Sequence, residues 1–193
     1  MLSLESEIKK ILIQKVNRES PIAPKDSPWA RGSVQQGERM MSIVGLIAAN
    51  YEGDMCEIGC LAGGTTSMLA KIANDFGKRV IAVDPWENGR PDYNPLNYER
   101  FLDNTRHWKD IIDVVRLPSE DEEAIKYIKS RKLCFAYVDG DHDNEHCRRD
   151  IETVGHATVI CIDDLWKDTL LSIFNESPRK KVYNFLAHEG YLI

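Results

Sequence analysis

The sequence predicts an α/β fold: a doubly wound, Rossmann-like and mostly parallel sheet with helices on both faces. Three observations lead there. Five short runs recur that are apolar throughout instead of alternating, which suits strands covered on both sides. Most of these runs are followed by a stretch of helical periodicity. Several of them end in an acidic or glycine-bearing turn, where strand hands over to helix.

The runs lie at 55–58, 80–83, 111–115, 135–138 and 159–162. Helical patterns fit 37–50, 65–76, 97–107, 120–130, 144–154 and 179–189, the last beginning at the solvated basic run Arg179-Lys180-Lys181. Residues 1–20 mix Glu5, Glu7, Lys9, Lys10 and Lys15 with Leu and Ile, an amphipathic helix and not a signal peptide. Two loops interrupt the pattern. Residues 20–33 carry Pro21, Pro24 and Pro28, and residues 86–96 carry Gly89, Pro91 and Pro95 with aromatic residues. Loops of that length in a compact domain often serve as lids or substrate contacts.

A chain of 193 residues favours one domain with a real core. Apolar residues make up 42% and charged residues 29%, an ordinary globular balance. The formal charge of −6 repels nucleic acid and anionic membranes, so neither is an expected partner. No apolar stretch approaches the roughly 20 residues of a membrane span. Cys56, Cys60, Cys134, Cys147 and Cys161 form no Cys-x-x-Cys pair, and reduced thiols in a cytoplasmic protein are the expectation.

The first run passes into Glu57-Ile58-Gly59-Cys60-Leu61-Ala62-Gly63-Gly64-Thr65-Thr66. Its glycines let backbone approach a ligand where a Cβ would collide, and Thr65 or Thr66 can cap the next helix. The Gly-x-x-x-Gly-Gly spacing departs from the Gly-x-Gly-x-x-Gly of dinucleotide enzymes, which speaks against a nicotinamide oxidoreductase. The second run ends at Asp84, a carboxylate suited to both hydroxyls of a ribose. A glycine-rich turn beside a merely structural acid is the plain alternative.

The fourth run ends in Asp139-Gly140-Asp141-His142, and the fifth in Asp163-Asp164. Ligands of open α/β sheets sit outside the carboxyl ends of the strands, so Asp139, Asp163 and Asp164 are expected on one rim. Carboxylates gathered there repel one another unless a cation lies between them. Oxygen donors favour Mg²⁺, with Mn²⁺ or Ca²⁺ as alternatives. The competing explanation is that these aspartates cap helices. His142 and His146 with Cys147 lack the second ligand pair of a zinc site. His142 instead suits a general base for an acidified hydroxyl.

In Glu57-Ile58-Gly59 with Gly63-Gly64-Thr65-Thr66, Val83-Asp84-Pro85, Asp139-Gly140-Asp141-His142 and Ile162-Asp163-Asp164, the chain resembles the class I methyltransferases that use S-adenosylmethionine (SAM). Among them it looks most like the metal-dependent O-methyltransferases: the catechol and caffeoyl-CoA enzymes, and especially the macrocin and mycinamicin type acting on sugars. The resemblance spans about 36–166. It implies that Glu57, Gly59, Gly63 and Thr65 line the methionine part of SAM, Asp84 holds the ribose, and Ser119 in Leu117-Pro118-Ser119 borders the adenine. Asp139 adjoins the donor and, with Asp163 and Asp164, matches the family's metal ligands. His142 or Asp141 falls where the base is proposed. An Asp-Asp pair at the second metal position is similar to the sugar-modifying branch.

The implied organisation is an N-terminal helix and lid-like segment over 1–35, then a SAM-binding domain over 36–193. The implied partner is a small-molecule or sugar acceptor. The N-terminal segment offers a surface for a homo-oligomer, with the oligomeric state open. The family closes its sheet with an antiparallel hairpin; here Gly190-Tyr191-Leu192-Ile193 reads as an incomplete one, which would leave backbone groups unpaired near the fifth strand. A non-catalytic SAM-binding protein and a metal-independent methyltransferase are the remaining alternatives.

Overall fold

The structure, a computed structural model, describes residues 33–86, 95–141, 144–163 and 182–185. The expected helix within 1–20, nearly all of the two proline-bearing loops, His142, Asp164 and the segment 190–193 lie outside the described residues.

Six strands form one sheet in the order β3-β2-β1-β4-β5-β6. They are β1 (Asp54–Ile58), β2 (Val80–Val83), β3 (Ile112–Val115), β4 (Leu133–Val138), β5 (Val159–Asp163) and β6 (Val182–Phe185). Every neighbouring pair runs parallel. Helix α1 (Ser33–Asn50) precedes β1, and between the strands lie α2 (Gly64–Asp75), α3 (Asn97–Thr105), α4 (Glu122–Lys129) and α5 (Asn144–Thr153), with a 3₁₀ turn at Arg106–Trp108. No helix among the described residues is long and apolar enough to cross a membrane.

Alternation along the strands divides the core into two layers. Met55, Val80, Ala82, Phe135 and Tyr137 pack with Ile43 and Ile47 of α1, Leu69 of α2 and Phe101 of α3. Their neighbours Cys56, Ile58, Ile81, Val83 and Val138 pack on the opposite side with Ile128 of α4 and Ile151 of α5. Both faces are therefore covered, which is why the strand sequences are apolar throughout. All five cysteines are buried free thiols.

The C-terminal part differs from expectation in two ways. The stretch expected as a helix over 179–189 contains strand β6, because pairing with an open strand edge overrides its weak helical pattern. β6 also pairs directly with β5, setting Asp163 opposite Phe185. The backbone groups expected to be left unpaired there are taken up by a parallel neighbour.

The amino end of the sheet is held by charge. Asp54 accepts hydrogen bonds from the Arg79 backbone N–H (2.9 Å) and from Arg131 Nη2 (2.6 Å). Arg79 also donates from Nε to Asp113 (3.2 Å) and from Nη1 to the Asp110 carbonyl (2.9 Å). Burial raises the Asp113 pKa, but the hydrogen bond and charge of Arg79, with help from Tyr127 and Arg131, bring it below the usual value. This network ties β1, β2 and β3 together at the end away from the glycine turn.

Candidate active site at the carboxyl rim

The carboxyl ends of β1, β2 and β4 are stitched side by side. The Gly59 N–H donates to the Val83 carbonyl (2.9 Å), and the Asp139 N–H donates to the Ile58 carbonyl (2.8 Å). Gly59 has φ +86°, and a Cβ there would lie 1.9 Å from the Asp139 carbonyl oxygen. Only glycine fits where the turn crosses the end of β4. Gly63, at φ +77°, is equally confined: its Cβ would meet Phe101 at 2.8 Å and Thr105 at 3.0 Å.

Asp84 organises the turn. Its Oδ2 accepts from the backbone N–H groups of Cys60 (3.0 Å) and Leu61 (2.9 Å), and its Oδ1 accepts from the N–H of Trp86 (2.8 Å). Trp86 Nε1 in turn donates to the Leu61 carbonyl at 2.7 Å. The Ala62 carbonyl is held by Asn104 Nδ2 (2.8 Å), and the Cys60 carbonyl by the Gly63 N–H (2.7 Å). The turn is thus anchored by both β2 and α3.

Glu57 sits beneath this turn and is 1% exposed. Its carboxyl accepts a hydrogen bond from the Thr66 hydroxyl. Burial pushes its pKa up to about 8, against the hydrogen bonds from Thr66 and Cys60, while nearby Asp84 adds to the rise. Burial and the charges of Glu57 and Asp84 likewise hold the Cys60 thiol far above its ordinary value, so it is not a nucleophile.

The helix-capping role expected of Thr65 or Thr66 is not what the structure contains. α2 begins earlier, at Gly64, after Gly63 in a left-handed conformation and without a side-chain cap. Thr66 therefore lies inside the first turn, facing back to β1. Thr65 is half-buried beside it.

On the other side of the rim, β4 and β5 pair with Val138 opposite Ile162, so Asp139 and Asp163 follow at neighbouring strand ends. Both are half-buried. Tyr137 is 7% exposed and lies close enough to both carboxylates for their charges to act on its phenol. Burial first, then the charges of Asp139, Cys161 and Asp163, keep this phenol protonated. Among the described residues no three His, Cys, Asp or Glu side chains are grouped as a metal site. Asp164 and His142 lie outside those residues, while Asp141 follows Asp139 closely and is half-buried.

Ser119 occupies the segment between β3 and α4 and is half-buried, its hydroxyl 3.5 Å from the Glu120 carboxylate. The cap of α4 is Asp121, which accepts from the Glu123 N–H at 2.8 Å.

A family model described as a methyltransferase domain matches residues 56–164, more than half of the chain. The chain belongs to this methyltransferase family. The matched region runs from within β1 to the acidic pair at the end of β5, so it contains the glycine turn, Asp84, Asp139 and Asp163.

The fold of this methyltransferase is similar to the crystal structure of cofactor-bound Rv0187 from MTB, at 18% identity and a TM-score of 0.54, covering 92% of this chain and 80% of that one. Two structures of CalS11 also align. The apo structure of this TDP-rhamnose 3'-O-methyltransferase of calicheamicin biosynthesis shares 15% identity, with 78% and 70% coverage and a TM-score of 0.49. The second, of CalS11 as calicheamicin methyltransferase, shares 16%, with 79% and 71% coverage and a TM-score of 0.48. No curated protein matches the chain.

Trp86 opens the 86–96 loop expected to serve as a lid or substrate contact, whose Tyr93 lies outside the described residues. Trp86 is 4% exposed and packs on Phe101 and Tyr98, with ring centroids 4.6 Å and 5.0 Å away. Its indole braces the glycine turn.

Proposed function

We propose that this methyltransferase moves the methyl group of SAM to a hydroxyl of a small-molecule or sugar acceptor, assisted by a divalent cation. The observation that carries the reading is the adjacency, along one rim, of the Asp84-anchored glycine turn and the Asp139–Asp163 pair on neighbouring strand ends. One end of that rim suits a nucleoside with a cationic tail. The other suits a cation and a hydroxyl.

In this reading Asp84 and the segment at Ser119 hold the adenosine, while Gly59, Gly63, Thr65 and the rim at Asp139 receive the methionine part. Glu57 contributes from below the turn. SAM, when bound, supplies an electrophilic methyl on a sulfonium that departs as a neutral thioether. Negative side chains at Asp84 and Asp139 favour such a positively charged donor.

Asp139 and Asp163, with Asp164, would hold Mg²⁺, or Mn²⁺ or Ca²⁺; their hard oxygen donors fit these ions. An ion held there would lower the pKa of a neighbouring hydroxyl and help to orient it. Asp141 or His142 takes the proton released as the new oxygen–carbon bond forms. A metal-independent methyltransferase is a second reading, favoured by one observation: the buried phenol of Tyr137 lies beside Asp163 and offers that carboxylate a structural partner.

The test is transfer of label from methyl-labelled SAM to a panel of sugar and phenolic hydroxyls, with Mg²⁺ or with a chelator. Transfer that needs the ion supports the reading. Transfer indifferent to the chelator leaves the metal-independent form, and a protein that neither binds SAM nor transfers its methyl removes both.

A further inference from the structure

Among the described residues only two that are not glycine have positive φ: Leu61 at +46° and Trp86 at +44°. They are distant in sequence but belong to one network. The two oxygens of Asp84 accept their backbone N–H groups, one each, and the Trp86 indole closes the ring by donating to the Leu61 carbonyl at 2.7 Å. Left-handed backbone is costly for such residues and persists only where the surroundings enforce it. Leu61 gains little from burial, since it is 44% exposed. Its conformation is therefore held by the hydrogen bonds. Trp86 is rigidly held in turn, between Tyr98 and the same Phe101 that confines Gly63.

We propose that Trp86 is a positioning residue for the methyl donor: its indole N–H locks the glycine turn into its left-handed course before the donor arrives. The inference rests on the SAM-binding reading above and adds a residue to it. A turn already shaped spends none of the binding energy on ordering itself. Without the indole N–H, Leu61 relaxes toward ordinary φ values, the Cys60–Ala62 backbone shifts, and the donor must restore it.

The deciding experiment is calorimetric titration of SAM into wild type and Trp86→Phe, with amide hydrogen exchange of both proteins free of donor. Phenylalanine keeps the ring packing but not the donor. Loss of one partly buried hydrogen bond corresponds to SAM binding weakened about tenfold in Trp86→Phe. Exchange at Cys60 and Leu61 speeds up in the variant while exchange along Val80–Val83 of β2 stays slow, a local loosening that a general loss of stability would not produce. A Trp86→Phe that binds SAM as wild type does, or exchange at Cys60 and Leu61 no faster than in wild type, overturns this inference alone. A wild type that binds no SAM takes the underlying reading with it. If Trp86→Phe does not fold, amide hydrogen exchange of the donor-free wild type decides: slow exchange at Cys60 and Leu61 is expected, and rapid exchange at both overturns the proposal.

Discussion

The Thr66 hydroxyl donates a hydrogen bond to the Glu57 carboxyl, joining the first turn of α2 to the last part of β1 under the glycine turn. The acid is buried, and its pKa is raised from an ordinary 4.5 to about 8, chiefly by loss of solvent. The folded chain therefore keeps a proton that the unfolded chain has already released over that interval. The contribution of Glu57 to stability is complete below the ordinary value and is lost as pH rises through about 8. Glu57→Gln should remove this slope. Urea midpoints of wild type should fall relative to the variant between about pH 5 and about pH 9; parallel curves would contradict the assignment.

Gly59→Ala should be severely destabilising, by about 3 kcal/mol or more, because it adds a left-handed strain to a backbone collision. The collision is with the Asp139 carbonyl at 1.9 Å, on a strand that cannot withdraw without disturbing its pairing with β1. Gly64→Ala is the matched control: nothing lies within 4 Å of a Cβ there, and no positive φ is involved. Thermal melts of the two variants should separate widely.

Much of the fold was legible beforehand, and the remainder, including the difference between Gly59 and Gly64, shows what sequence hides. Apolar runs marked β1 to β5 because strands covered on both faces need no polar alternation. Asp84, Asp139 and Asp163 could be placed at strand ends by the same reasoning. β6 was hidden because Val182–Phe185 follows a basic run and is specified by the open edge of β5, a tertiary cause. The jobs of Thr66 and Trp86 were hidden too. Whether a threonine caps a helix or reaches a buried acid depends on where the helix starts, and the start was set by the conformation of Gly63. No spacing distinguishes an indole that binds a ligand from one that braces a turn.

Arg131→Ala should lower stability by about 1–2 kcal/mol and leave donor binding within about twofold of wild type. Arg131 and Asp54 are 29% and 21% exposed at their side chains, so the pair is only partly screened by solvent. Their network lies at the amino end of the sheet, away from Gly59. Denaturation midpoints and a SAM titration on the same preparation check both halves.

Asp163→Asn should reduce ion-dependent methyl transfer by about a hundredfold while SAM affinity stays nearly constant. Tyr137→Phe, which removes the phenol beside Asp163 but leaves the charge of Asp163, should have a smaller effect. Equal losses in the two variants would point to a structural role for Asp163. Steady-state rates across a Mg²⁺ titration separate these outcomes.

The most direct test of where the donor binds is backbone amide NMR of the assigned protein during addition of SAM. Shifts should concentrate at Gly59, Cys60, Leu61, Gly63, Asp84 and Asp139, while Asp54, Arg79 and Arg131 at the far end of the sheet stay still. Perturbation centred on that far end, or none at all under saturating SAM, would contradict the account.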